Sequence, residues 1–513
     1  MSERKAHASL EERRARGREA REATPLDSHA GWEVAPDRAD PVGLLAAQDA
    51  TREPDLVPVR HGRMMVTPFT FYRGAATVMA EDLSHTPTAG LDVQLCGDAH
   101  LSNFGIYGSP ERQLVFDLND FDETLPGPFE YDVKRLAASV VVAARNNGFS
   151  AAETDEATTG CVRAYRQAMA DFAQRRTLDV WYAHLSVDDV LSVVQARAAS
   201  LAEGDDHSGG KGKAKGKKGP DRKGQGGKGQ GDGDDPGRTR YSPKEIEKAV
   251  ARAQKLTDKA RSRDSLHALT KLAEQVDGRY RIASDPPLVV PLRELFAGQG
   301  LSADEVEHAI REQFAAYRDT LADDRRLLLD RFEIVDVARK VVGVGSVGTR
   351  SFIVLLEGRD SGDPLFLQVK EATRSVLEQH LPASAYELPG ERVVQGQRLM
   401  QATSDIFLGW TRGVDETRHF YWRQLRDMKG SVVIEQMIPE GLALHTRVCA
   451  WSLARAHARS GDPVAIAEYL GDSDTFDRAV TDFAHRYADR TERDHADFVA
   501  AVDGGRLEAV SGL

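Results

Sequence analysis

Cysteine is scarce in this 513-residue chain: only Cys96, Cys161 and Cys449 occur, and no two are close in sequence. That excludes a disulfide framework and a thiolate zinc site, and it suits a reducing compartment. Long apolar runs are missing too. No stretch approaches the roughly eighteen residues that a membrane span requires, so no membrane partner is expected. From Met1 to Ala23 the chain alternates Arg, Glu and Ala without an apolar core, which is not the pattern of a secretory signal. The expected address is the cytosol. An excess of cations is also absent, since 68 Lys and Arg stand against 80 Asp and Glu, for a net charge of −12. A surface of that sign does not coat nucleic acid or an anionic membrane. No internal repeat is present.

What remains is the balance of a globular protein, 41% hydrophobic and 29% charged, long enough for two lobes or more. Residues 1–50 read as a polar helical extension. Residues 51–330 read as a mainly helical lobe, with a helix over Pro68–Asp82, short strands within Val93–Phe121, and helices at Arg135–Arg145, Ala151–Arg175 and Leu178–Ala202. Helices resume from Ser242 to Leu329 with a proline-rich break at Asp285–Pro291. Inside this lobe, residues 203–241 form a Gly/Lys-rich stretch with almost nothing to bury, expected as a flexible loop. It is the one place where an acidic partner or RNA could be tethered; nucleic acid is otherwise not an expected partner. Residues 331–440 carry glycines and β-branched alternation, hence a small antiparallel sheet with a helix inside it. Residues 441–513 are expected to be helices packing back on the first lobe.

Chemistry concentrates in Leu95–Asp132, LCGDAHLSNFGIYGSPERQLVFDLNDFDETLPGPFEYD. Asp98, His100 and Asn103 stand at i, i+2 and i+5, and a strand-turn-strand then delivers Asp117, Asp120 and Asp122. Folding back at the turn Gly108–Glu111 brings Asp120 beside Asn103. A carboxylate and an amide oxygen converging this way make a hard-oxygen site suited to magnesium. Asp98 beside it can accept a hydroxyl proton, as phosphoryl transfer needs.

The segment resembles the catalytic loop of the aminoglycoside-phosphotransferase and choline-kinase branch of the protein-kinase-like superfamily, H-G-D-x-H-x-x-N followed by a D-F/W pair. The resemblance implies that Asp98 is the catalytic base and that His100 sits where kinases use a phosphate-contacting lysine. It implies that Asn103 and Asp120 bind magnesium, and Tyr131-Asp132 stands where those enzymes carry a further aspartate. Cys96 replaces their usual histidine at the head of the loop. Gly97–His100 also echoes the G-D-x-H of two-metal phosphoesterases. The strand-borne D-x-H upstream and the G-N-H-[DE] downstream that complete such a cage are missing.

A second motif lies at Val341–Ala372, where Gly343, Gly345 and Gly348 spell G-x-G-x-x-G around Ser346. An apolar, β-prone run, Ser351–Leu356, follows it, so it is not a dinucleotide fingerprint, and no G-K-[ST] makes it a phosphate loop. Strand, glycine turn, strand and a third strand carrying one lysine is the kinase arrangement, with Lys370 reaching the α- and β-phosphates of ATP. The acidic partner of Lys370 is expected on the next helix, at Glu391 in preference to Glu378. Strands at Ile406–Thr411 and His419–Leu425 would lead to an adenine-holding hinge near Gln424 and Leu425.

The glycine motif follows the catalytic loop instead of preceding it, which points to circular permutation. The fold expected is therefore α+β, a two-lobed kinase-like fold with the helical catalytic lobe first and the glycine-loop β lobe after it. The segments ERVVQGQRLMQ, WRQLRDMKGS and LARAHARSGD further resemble a bacterial family known only as domain of unknown function 2252. The function these readings imply is an ATP- and magnesium-dependent phosphotransferase acting on a small-molecule hydroxyl or a protein. The competing readings are a catalytically silent nucleotide-binding regulator and a metal-dependent phosphoesterase. Of the remaining polar residues, Arg60, His61, Arg63 and Arg73, just before the catalytic loop, read either as contacts for phosphate or an acidic substrate or, in preference, as solvated surface. His457, Arg459 and Asp462 read either as cleft residues or as a helix end, and Trp410 and Trp422 as packing in the small lobe.

Overall fold

The computed structural model describes residues 8–206, 243–297, 303–341, 343–425, 428–510 and 512. Most of the Gly/Lys-rich stretch, from 207 onward, lies outside them. The fold is mixed α+β. Its strands are β1 (Asp92–Leu95), β2 (Phe104–Gly108), β3 (Leu114–Leu118), β4 (Leu125–Pro128), β5 (Leu185–Ser186), β6 (Ala273–Val276), β7 (Arg279–Ile282), β8 (Val289–Pro291), β9 (Glu333–Lys340), β10 (Ser351–Glu357), β11 (Pro364–Glu371), β12 (Gly409–Arg412) and β13 (His419–Gln424).

Six of them form one antiparallel sheet in the order β12-β13-β11-β10-β9-β8. Its central strands are buried on both faces, which explains the nearly unbroken apolar runs SFIVLLE and LFLQV. Alternate side chains serve opposite faces. Val354, Leu356 and Leu367 meet Tyr317, Leu321 and Leu329, from the helical segment Ala303–Leu329. Ile353, Leu355 and Phe366 meet Ala268, Leu269 and Leu272 of the helix Ser265–Leu272. Tyr317 stacks on Trp422 with ring centroids 4.5 Å apart. Residues 265–297 and 303–329, which composition places with the helical lobe, thus bury apolar side chains such as Leu269, Leu272, Leu292, Tyr317 and Leu329 against the sheet.

The larger core surrounds the helix Phe129–Asn146. Its run AASVVVAA is buried all round because the helices Ala151–Gln174, Pro439–Ser460 and Thr475–Asp503 cover it. Two expectations need correction. The helix over Pro68–Asp82 is two helices, Pro68–Gly74 and Ala76–Ser84, because Arg60 captures the Gly74 carbonyl at 2.8 Å. The helical stretch Ser242–Leu329 contains the hairpin β6–β7, turning at Asp277-Gly278 with both residues at positive φ, the pairing such a two-residue turn favours.

Candidate active site

The loop after β1 is fixed from beneath. The Asp132 carboxylate accepts the N–H groups of Cys96 at 2.7 Å and Gly97 at 3.0 Å. His457 Nε2 lies 3.2 Å from the same carboxylate, and its Nδ1 meets the Tyr165 hydroxyl at 2.8 Å. Gly97 has φ +82°, and a Cβ there would stand 2.2 Å from the Glu123 carbonyl oxygen, so only glycine fits this turn. The turn aims Asp98 into the space between the lobes. Arg135 grips one oxygen of Asp98 through Nε at 2.8 Å and Nη2 at 2.6 Å, and is itself seated on the Tyr72 ring at 4.1 Å. The other carboxylate oxygen of Asp98 lies 3.6 Å from His100 Nε2.

His100 is buried, and burial pushes its pKa down to about 4. Its Nδ1 accepts the Ser102 N–H at 3.2 Å, so the proton of the neutral ring sits on Nε2. Asn103 donates its side-chain N–H to the Asp98 carbonyl at 2.7 Å, which leaves its amide oxygen for another partner. The β2–β3 hairpin carries the chain back to Asn119 and Asp120, with the Asn119 N–H on the Asn103 carbonyl at 2.8 Å. Asp117 turns away from this space into an ion pair with buried Arg455.

Across the gap, β11 presents Lys370 beside Tyr421 of β13. Lys370 pairs with Asp122 and lies 3.7 Å from Asp120. The Tyr421 hydroxyl donates to Asp122 at 2.8 Å. Burial works to lower the lysine's pKa, but the two aspartates overcome it and raise it. Burial likewise works to raise Asp120, and Lys370, Arg423 and Lys429 prevail to hold it below the ordinary carboxylate value.

The expected partner Glu391 is therefore replaced by Asp122 and Asp120. The helix Pro389–Met400 turns Arg392 inward, one position past Glu391, and this buried guanidinium donates to the carbonyls of Asp122 at 2.7 Å, Thr124 at 2.5 Å and Thr373 at 2.9 Å. A carboxylate beside it on the helix lies about 100° round the axis and misses the lysine. Glu378 is taken up in a capping box with Ser375.

Asp98, His100, Asn103, Asp120, Lys370, Gly343, Gly345 and Ser346 all line one cleft of about 710 Å³, together with Gln424 and Leu425. Gly348 does not line it. At φ +88° its carbonyl accepts the Glu53 N–H at 2.7 Å, on the far side of the turn. Arg73, for which surface was the preferred reading, lines the cleft, as do Arg423, His267 and Lys271, which sequence reasoning missed. Arg60 and His61 are not surface residues: both are buried against Asp49, at 2.8 and 2.7 Å. Of the residues left open, His457 supports the loop from within, Arg459 lies over Trp181 at 3.8 Å, and Asp462 caps the helix Pro463–Leu470. His29 is buried with its Nε2 2.7 Å from the Tyr469 hydroxyl.

Among the described residues no group of three or more His, Cys, Asp or Glu side chains is placed to hold a metal unaided. No described helix is long and apolar enough to cross a membrane. The sequence profile of a family described as "Uncharacterized protein conserved in bacteria (DUF2252)" matches residues 52–205 and 237–501. No curated protein and no solved structure matches the chain.

Proposed function

The chain belongs to this bacterial family, DUF2252, and from its site we propose that it is an ATP- and magnesium-dependent phosphotransferase with a circularly permuted kinase-like fold. One observation carries the reading. Lys370, on the second strand after the glycine turn, meets Asp120 and Asp122 of a loop some 248 positions earlier, across a cleft that also holds Asp98 and Asn103. Strand, glycine turn, strand, lysine strand, helix and two further strands follow one another in β9 to β13, the order that the kinase resemblance implies. The glycine turn comes after the catalytic loop in sequence and yet shares its cleft, as a permuted chain requires.

Phosphoryl transfer asks little covalent chemistry of a protein and much positioning. Arg135 occupies one oxygen of Asp98, so the other is the acceptor for a substrate hydroxyl proton. As the acceptor oxygen bonds to the γ-phosphorus, its proton passes to Asp98, the bond to the β-phosphate oxygen breaks, and ADP leaves. Lys370, held between two carboxylates, is poised to donate to the α- and β-phosphates. Asn103 and Asp120 fit magnesium. The amide nitrogen of Asn103 is tied to the Asp98 carbonyl, which leaves a neutral oxygen beside a partly exposed carboxylate, and such a sparse set is typical when substrate phosphates complete the shell. Bound magnesium supplies neutralisation of phosphate charge. The resemblance to small-molecule kinases favours a small-molecule hydroxyl as the acceptor.

The test is a thermal-shift titration with ATP, with and without magnesium, on wild type and Asp120→Ala. Nucleotide at a hundredfold excess over Kd stabilises by about 2.7 kcal/mol. A magnesium-dependent rise that Asp120→Ala abolishes supports the reading. Indifference to nucleotide in wild type overturns it.

A further inference from the structure

A phosphoryl group in transfer needs a cation opposite the oxygens that gain charge, and the buried cations described around Asp98 and Asp120 are already engaged. Lys370 is held by Asp120 and Asp122. Arg135 is spent on Asp98. Arg423 donates to Gln368 at 3.0 Å and to the Asn119 carbonyl at 3.3 Å. His100 stands at the point where the kinase resemblance places a phosphate-contacting lysine, but its Nδ1 accepts a backbone N–H, so the ring there is neutral.

Lys271 lines the cleft as an exposed residue, whereas Arg73 is the cation that acts on Asp98 without being hydrogen-bonded to it. Arg73 closes the short helix Pro68–Gly74, its Nε is buried without a hydrogen-bond partner, and its guanidinium has no hydrogen bond or ion pair among the described residues. Burial holds its pKa below the ordinary arginine value, with Asp98 and Glu435 as the opposing charges it feels. Arg73 is half-buried; a guanidinium whose Nε is buried without a partner is costly, and an anion in the cleft would satisfy it. Its position is specific. Arg73 lines both the large cleft and a small pocket of about 50 Å³ beside it, and Asp98, Asp120, Gly345 and Ser346 line both as well. The glycine turn rests on it, since a Cβ at Gly345 would stand 3.3 Å from the Arg73 carbonyl oxygen.

We propose that Arg73 is a catalytic residue that donates to the non-bridging oxygens of the phosphoryl group in flight, between Asp98 and the glycine turn. The inference rests on the phosphotransferase reading and adds to it the source of the neutralising charge. Arg73 exchanges no proton; the bonds made and broken are those already described.

Isothermal titration of wild type, Arg73→Gln and Arg73→Lys with Mg·ADP, and with Mg·ADP plus beryllium fluoride as the phosphoryl mimic, tests it. Wild type is expected to bind the fluoride-containing mixture more tightly than Mg·ADP alone. Arg73→Gln is expected to keep its Mg·ADP affinity and lose about tenfold or more of the fluoride-dependent gain, the scale of a charged hydrogen bond. Arg73→Lys, which keeps the charge and the fold, should recover part of that gain. A gain that survives in Arg73→Gln, a gain absent from wild type, or equal weakening of both ligands as a merely structural role would give, overturns the proposal. Failure of wild type to bind Mg·ADP or Mg·ATP at all is a different result and brings down the phosphotransferase reading beneath it.

Discussion

The guanidinium of Arg52 donates to the backbone carbonyl of Val347 at 2.6 Å, bolting the glycine turn to a segment near the start of the chain. Around that bond the attachment is continuous. The Glu53 N–H takes the Gly348 carbonyl at 2.7 Å, and the Glu53 carboxylate pairs with Arg339 at 3.3 Å and Arg350 at 2.9 Å, on either side of the turn. Val347 itself is buried against Leu56 and Val59. A turn held this way has its ordering cost met before any ligand arrives, which favours binding.

Removing the bolt should therefore loosen the turn without unfolding the sheet. Arg52→Ala leaves a buried carbonyl without its donor, at about 1–3 kcal/mol. Amide exchange at residues 343–348 should accelerate by roughly tenfold or more, and Mg·ATP affinity should fall by a similar factor. Exchange as slow as wild type would show that the turn is held by something else.

The glycines of the turn separate into two roles that substitution can tell apart. A methyl group added at Gly343 would meet nothing within 4 Å, whereas Gly348 combines φ +88° with the Arg52 Cβ at 3.0 Å. Gly343→Ala should leave the melting temperature within about a degree of wild type, as for an open surface site, yet weaken Mg·ATP binding if, as proposed, nucleotide occupies the space it fills. Gly348→Ala should cost about 1–2 kcal/mol in urea unfolding even without nucleotide. Equal effects of the two alanines on stability would remove this distinction.

The sequence makes the loop at 98–103 legible because its residues are close neighbours. Asp98, His100 and Asn103 share one turn, and Asp120 returns on a single hairpin, so spacing alone brings them together. The nearly unbroken β-prone apolar runs after the glycines likewise make β10 and β11 readable. What escapes depends on contacts between distant segments. Arg73 faces the cleft only because the glycine turn packs on its carbonyl, and Arg60 is buried only because Asp49 and Gly74 receive it. The expectation for Glu391 rests on the order of elements alone, and one residue of helical phase puts Arg392 inward in its place. The β6–β7 hairpin is a different case, since Asp277-Gly278 between alternating residues is a usable signal in a stretch dominated by helical composition.

Acid should destabilise the fold well above the carboxylate range. Burial lowers His29 to about 3, with Lys134 adding to the effect, and lowers His100 and His445 to about 4. The unfolded chain takes up these protons near pH 6.5 and the folded one does not, so stability is lost as pH falls from there toward 4. Each group contributes up to about 3 kcal/mol over that window. Glu130 opposes them: burial raises it to about 7, so its contribution is fully present below about 4.5 and fades as pH rises through 7. Three groups outweigh one. The urea midpoint should be lower at pH 5 than at pH 7, and a flat or inverted profile would contradict the burial of these rings.

Asp132 should prove to hold the Gly97 turn without reaching a ligand in the cleft. Its carboxylate is the joint acceptor for Cys96, Gly97 and His457, and it lies outside the cleft-lining set. Asp132→Asn keeps the shape but replaces one acceptor oxygen by an N–H₂ group, so at least one of those donors is left facing a donor in a buried site. The expected loss is about 2–4 kcal/mol in urea unfolding. Because the two backbone bonds to Asp132 anchor the Gly97 turn, Asp98 should shift, and on the proposed phosphotransferase reading phosphoryl transfer should fall further than Mg·ADP affinity, which that reading assigns to Lys370 and Asp120 across the gap. His457→Gln, which spares the two backbone donors, should show the same split at smaller size. If Asp132→Asn instead weakened Mg·ADP binding as much as transfer, the carboxylate would be acting on the whole cleft and not through the turn beneath Asp98.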